Sequence, residues 1–292
     1  MVPDLIEPIA YYLPLLPAGE KLLLPNPEVI WRDPEISYSE GEAQLVFRLS
    51  TANAAGYSTE RSFELIDPQR YPGSDYAPEL ILTYCEPDHP YVEQILDQAG
   101  RTLSGTGDRS QLRGYDGDPL VQAEAIFQAI RRERLIYTLP KQDSDTQPRT
   151  RGYGMKQSKV FSQLLRPIES IARQHLANAI ELAVLYAATL EKAGLNPIIV
   201  MLKDECLVGA YLTNLHQTTF IHDSFTELGE ASYEASPELF LVEASLLAGT
   251  GRQEDFREAI GNGARILLES GRLSYALDVR RGRELGVHAW AP

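Results

Sequence analysis

From Asn178 to Val200 the chain reads NAIELAVLYAATLEKAGLNPIIV, apolar almost throughout and broken only near its middle. The pattern predicts a buried helix running directly into a short strand. Asn178 suits the cap, and Glu181 three positions on can reach back to it, the capping-box arrangement. Ala179, Ala183, Ala187, Ala188 and Ala193 carry little bulk, so neighbouring elements can approach this helix closely. Gly194 fits the left-handed position past the helix end, and Pro197 prevents continuation. Ile198 to Leu202 then form an apolar run of the length expected for a central strand.

Elsewhere the periodicities are weaker but ordered. Ala43, Leu45, Phe47 and Leu49 alternate with Gln44, Val46 and Arg48, which predicts a strand; Asn53 to Gly56 marks a turn, and Phe63 and Leu65 lie on a second strand. Pro68 to Pro78 is a polar, proline-bearing connection, so a small β-rich amino-terminal domain over 1–77 is expected before an α+β domain over 78–292. The latter opens with strand-like Leu80 to Tyr84. A helix starts at Pro90, with Val92, Ile95, Leu96, Ala99 and Leu103 at helical spacing. Asp118 and Pro119 open another, which ends in Arg131, Arg132 and Arg134. Residues 138–160 read as a polar, mobile loop. Further helices are expected near 161–173, 253–270 and 272–285, and the glycine pairs Gly249/Gly251 and Gly261/Gly263 are assigned to turns.

Composition narrows the function classes. The 292 residues are 43% apolar and 23% charged, ordinary values for a globular chain. A net charge of -14 argues against sequence-independent binding of nucleic acid, which needs Lys and Arg on the phosphates. The two cysteines, Cys85 and Cys206, suggest neither a disulfide framework nor a zinc knuckle, and a reducing cytoplasm fits best. Apolar runs near the amino terminus are broken by Pro8, Pro14 and Pro17, so that segment reads as a packing arm, with no signal peptide and no membrane span. No cofactor or metal motif is expected.

The helix-strand segment resembles the transglutaminase-like, papain-like cysteine superfamily. Its bacterial pattern is C-[IL]-D-L-A-L-L-x-A-A-x-L-E-x-x-G-L-N-P, followed by G-H-A-F-x-G-x-W and an aspartate ending the next strand. Ala179 stands at the cysteine position and Glu205, in Glu205-Cys206-Leu207-Val208-Gly209-Ala210-Tyr211, at the histidine position. Asp223, after Thr219-Phe220-Ile221-His222, matches the aspartate. The resemblance extends over about 78–288 to the amino-terminal module of large bacterial helicase and nuclease proteins. It is carried by Pro78-Glu79-Leu80 through Pro87-Asp88-His89-Pro90, by Gly114-Tyr115, by Tyr137 and Pro140, by Leu239 to Glu243, and by Ala276 to Gly286. It implies a transglutaminase-like core, a helix packed on an antiparallel sheet, from which the chemistry has been removed. No helicase motif is present.

Cysteine catalysis needs a thiolate, and alanine offers no lone pair. The resemblance therefore implies a pseudoenzyme whose vestigial cleft, Ala179, Glu205 and Asp223, persists as a peptide-binding groove. Glu181, Tyr211 and Tyr153 are candidate binding residues, although capping is the simpler role for Glu181 and turn-amide binding for Asp223. The implied partner is a protein of a bacterial DNA-processing or phage-defence complex, a helicase or nuclease component, with nucleic acid contacted only indirectly. Two alternatives remain open. Cys206 could serve as a relocated nucleophile with His216 or His222 as base. The 141–159 loop, with Lys141, Arg149, Arg151, Lys156, Lys159 and Tyr153, could contact single-stranded nucleic acid.

Overall fold

The computed structural model describes residues 10, 41–49, 56–65, 70–71, 78–105, 109–139, 163–203, 205–214, 220–222, 238–249, 255–270 and 273–289. The expected amino-terminal arm, the 141–159 loop with Tyr153, His216 and Asp223 lie outside these residues, as does the side chain of His222. The chain divides into two compact units, Met1–Arg70 (with Pro292) and Tyr71–Ala291.

In the first unit, β1 (Gly41–Leu49) and β2 (Tyr57–Leu65) pair antiparallel in one unbroken register, from Gly41 opposite Leu65 to Leu49 opposite Tyr57. Val46, Phe47, Leu49 and Tyr57 are all exposed. A two-residue strand, β3 (Arg70–Tyr71), spans the division.

The second unit is mixed helix and sheet. Its elements are α1 (Pro90–Ser104), α2 (Pro119–Arg132), β4 (Ile136–Tyr137), β5 (Gln163–Leu164), α3 (Ile168–Gln174), β6 (Leu176–Ala177) and α4 (Ala179–Lys192). There follow β7 (Pro197–Leu202), β8 (Cys206–Tyr211), β9 (Ile221–His222), β10 (Leu239–Glu243), α5 (Phe256–Ser270), β11 (Leu273–Asp278) and α6 (Val279–Glu284). Five strands form an antiparallel sheet in the order β10-β8-β7-β11-β9. The class is α+β.

Strand alternation builds two cores, one on each sheet face. Ile199, Cys206, Val208, Ala210, Phe240, Val242, Tyr275 and Leu277 share one core with α1, α2 and α4. Ile198, Val200, Leu207, Tyr211, Leu239, Leu241 and Ala276 share the other with Ile266 and Leu267 of α5. β7 therefore buries both faces, which explains its continuous apolar sequence.

Four expectations are corrected. Leu80 to Tyr84 lies in a 3₁₀ helix, Pro78–Tyr84, in which the adjacent residues Ile81 and Leu82 are both buried. The helix expected over 161–173 is shortened to α3, because Pro167 stands at its cap and the preceding residues run extended. The helix expected over 272–285 is instead strand β11 followed by α6. β11 pairs with β7 and β9, so its buried residues show no simple alternation, and Asp278 ends it by accepting the Arg281 amide at 2.8 Å. Gly261 and Gly263 lie inside α5 rather than in a turn, and Gly263 permits a close approach to β10, since a Cβ there would sit 2.2 Å from the Leu241 carbonyl oxygen.

The junction of α1 with α3 carries a pH-sensitive acid. His89 caps α1 by accepting the Tyr91 amide on Nδ1, and its Nε2 lies 3.3 Å from Glu169. Between the 3₁₀ helix and α1, Glu86 keeps one buried oxygen without a partner. Burial raises its pKa from 4.5 to about 7, opposed by the Ile168 amide and reinforced by Glu169. The stability that the neutral form contributes is fully present below pH 4.5 and lost as pH rises through about 7. Glu86→Gln, neutral throughout, is expected to flatten the urea midpoint over that interval and to be the more stable protein above it. An unchanged pH profile would remove this assignment.

Candidate functional site

The site is built around the amino terminus of α4. Asn178 accepts the Glu181 amide at 3.0 Å, and the Glu181 carboxylate accepts the Asn178 amide at 2.8 Å, so the capping box is formed. The same carboxylate accepts the Arg166 amide at 2.7 Å and the Arg166 guanidinium at 2.7 Å. Glu181 is only 1% exposed, so its charge depends on Arg166 for compensation. Arg166 also reaches the Thr138 hydroxyl at 3.3 Å, tying the end of β4 to the helix entrance. Glu181 is thus a structural member of the site, fully occupied by partners.

Helix and strand lengths place this entrance. The 14 residues of α4 span about 21 Å, and the six of β7 about 20 Å. A tight turn at Gly194, whose φ is +84°, joins them. The chain therefore returns along α4, and the end of β7 and start of β8 lie at the level of Ala179. Residues from three other elements meet at this end. Cys206 opens β8 opposite Met201 and belongs to the core on the α4 side. Glu243 closes β10 opposite Leu207, and the Ser245 hydroxyl donates to its carboxylate. β4 runs parallel to β6, which leads into Asn178, and carries the 39%-exposed Tyr137. Burial raises the pKa of the Tyr137 hydroxyl, with Glu243 and Cys206 adding in the same direction.

Ala179 is half-buried in the first turn of α4. Glu205 is exposed and precedes β8, where its carbonyl accepts the Leu202 amide at 2.9 Å. The strand residue that packs on the α4 side is Cys206, its neighbour. Burial pushes the Cys206 thiol up to about 12, the opposite of what a nucleophile requires. Cys85 is also fully buried with its pKa raised by desolvation. The strand that precedes Asp223, β9, pairs with β11 at the far edge of the sheet, and β8 lies between β10 and β7. Tyr211 is buried at the opposite end, where its amide donates to the Asn196 carbonyl and its carbonyl accepts the Tyr115 hydroxyl. It is not brought to the α4 entrance.

Three residues that sequence reasoning did not assign to the site are placed there: Tyr137, Arg166 and Glu243. Tyr137 and Glu243 stand in motifs of the resemblance, but nothing in their spacing gives the register that sets them beside β8. The three arginines near the carboxyl end are structural. Arg280 and Arg281 pair with Glu284, and Arg283 binds Glu191 and the Leu82, Cys85 and Val287 carbonyls.

Fold and site together define an α+β protein with a capped, alanine-rich helix against an antiparallel sheet. No protein-family model matches the chain, and no curated protein or solved structure matches it. Among the described residues no group of three His, Cys, Asp or Glu side chains is placed to hold a metal, and no helix is long and apolar enough to cross a membrane.

Proposed function

We propose that this chain is a binding module on a transglutaminase-like core that has lost its nucleophile. The observation that carries the reading is Ala179, which occupies the first turn of a helix whose amino terminus is otherwise fully organised by Asn178, Glu181 and Arg166. An activated thiol at a helix amino terminus would benefit from that organisation, and the alanine cannot use it. The cleft then serves to hold a partner segment. On the resemblance alone, the partner belongs to a bacterial DNA-processing or phage-defence complex with helicase or nuclease components, and the chain acts in the cytoplasm.

The buried, high-pKa Cys206 weighs against a relocated cysteine nucleophile. The basic loop of the nucleic-acid alternative lies outside the described residues, and no observation favours that reading.

Alkylation tests the proposal. In the folded protein near neutral pH, Cys206 and Cys85 are expected to label with iodoacetamide far more slowly than in denaturant. Ala179→Cys introduces a thiol at the helix amino terminus, expected to label faster than both and to titrate below the reference of about 8.5. Rapid labelling of native Cys206 would return the enzyme reading. An ordinary pKa for the thiol introduced by Ala179→Cys would remove the argument that the scaffold is retained.

A further inference from the structure

Among the described residues β1 and β2 pair only with each other, so each presents an outer edge. A lone two-stranded hairpin is marginal in water; independent stability takes three or more strands with an apolar face. The register places Leu45, Phe47 and Leu49 on one face with Tyr57, Phe63 and Leu65, and of these Phe47 is 51% and Tyr57 65% exposed. The hairpin also carries a conflict of its own. Glu42 stands directly opposite Glu64, an arrangement that destabilises a strand pair.

The sequence of β1, GEAQLVFRL, specifies which strand fits beside it. Set against an antiparallel copy of itself centred on Leu45, its only two charges, Glu42 and Arg48, fall opposite each other, twice by symmetry. The same register sets Ala43 opposite Phe47 and Gly41 opposite Leu49, small against large, and uses all nine residues, about 30 Å of edge. Opposed positions differ by an even number of residues, so both apolar faces fall on the same side of the enlarged sheet. β2 has no such register. Arg61 stands on the face opposite to Glu60 and Glu64, so no pairing that keeps the apolar faces together brings it against an acid, and full overlap sets Arg61 against Arg61.

We infer that the outer edge of β1 receives β1 of a second copy of this chain, antiparallel and two-fold symmetric about Leu45, giving one four-stranded sheet in the order β2-β1-β1-β2. Arg48 of each copy then lies beside Glu42 of the other and offsets its repulsion from Glu64. The contact is isologous and closes on itself, so association stops at two copies. Pairing β1 of one copy with β2 of the next in the hairpin register would instead repeat the opposition of Glu42 and Glu64. The net charge of -14 opposes indiscriminate self-association, so a dimer needs a specific contact of this kind. The inference involves the first unit alone and does not depend on the reading of the α4 entrance.

Sedimentation equilibrium of the full chain tests it, at about 0.15 M salt, where repulsion between the two acidic chains is screened beyond about 8 Å. The mass is expected to rise with concentration to twice that of the chain. Glu42→Arg and Arg48→Glu each set like charges opposite one another at both symmetry-related positions, and each is expected to weaken the dimer about ten-fold or more. Mixed in equal amounts, the two variants regain an acid opposite a base at every charged position and are expected to associate about as tightly as the parent. Leu45→Cys, at the two-fold, is expected to cross-link two copies on mild oxidation, since Cys85 and Cys206 are buried. A monomer at every concentration, no cross-link at Leu45→Cys, dimers indifferent to both charge variants, or folded single variants that fail to associate with each other would each overturn the inference.

Discussion

Glu181→Ala is expected to destabilise the protein by about 3–5 kcal/mol, the cost of removing one partner from a buried ion pair. The magnitude follows from what the carboxylate holds: the Asn178 amide, the Arg166 amide and the Arg166 guanidinium, each within 2.8 Å. Without it the guanidinium is left beside a hydrophobic helix, and two amides lose their acceptor. The cap alone explains only part of the loss, so Asn178→Ala is expected to cost about 1 kcal/mol. Replacing both charged partners together, Arg166→Met with Glu181→Leu, is expected to cost less than Glu181→Ala alone, because no unpaired charge remains. Urea unfolding of the parent and the three variants distinguishes these cases. A loss of under about 0.5 kcal/mol for Glu181→Ala, the range of ordinary surface changes, would show that the carboxylate does not organise the helix entrance.

Two glycines close together in α5 are expected to respond with opposite sign. A Cβ on Gly261 meets nothing within 4 Å, so Gly261→Ala gains helix propensity and is expected to stabilise by up to about 1 kcal/mol. A Cβ on Gly263 would lie 2.2 Å from the Leu241 oxygen, 2.7 Å from the Leu241 carbon and 3.1 Å from the Val242 Cα. These are backbone atoms of a paired strand and cannot rotate aside. Gly263→Ala is therefore expected to destabilise by about 2 kcal/mol or more, since helix and sheet must separate. Thermal melts of the two variants settle the matter. Equal gains from both would mean that α5 does not lie directly on β10.

The helix entrance was legible because its signals are local. Asn178, Glu181, Gly194 and Pro197 act on residues within a turn or two, so their spacing alone announces a capped helix, a left-handed end and the start of a strand. The same locality misleads at Gly261 and Gly263, where two glycines look like a turn until β10 is laid against them. It misleads over 272–285 too. A strand paired on both edges and buried on both faces has no amphipathic signature to separate it from a helix.

Site composition was less accessible, since it depends on register. The resemblance makes Asp223, which follows β9 in sequence, the third member of the cleft, and Asp223 lies outside the described residues. In the sheet β8 lies between β7 and β10, and β10 ends in Glu243. Tyr137 and Arg166 likewise reach the entrance through the short β4–β6 pairing and the Glu181 carboxylate, contacts spanning 15 to 40 positions. Tyr211 shows the converse. It shares β8 with Cys206, yet six residues of extended strand carry it to the other end of the sheet.

By itself, then, the sequence determined the α+β class, the central helix-strand pair, the absence of a cysteine at Ala179 and the capping role of Glu181. These follow from periodicity, capping chemistry and side-chain identity, which act over a few residues. Tertiary structure alone decided that Glu243 closes the strand beside β8, that Cys206 lies in the core on the α4 side, and that α5 rests on β10 through Gly263. Those outcomes depend on strand order and interlayer distance, set by burial of both sheet faces at once, which no local stretch of the chain encodes.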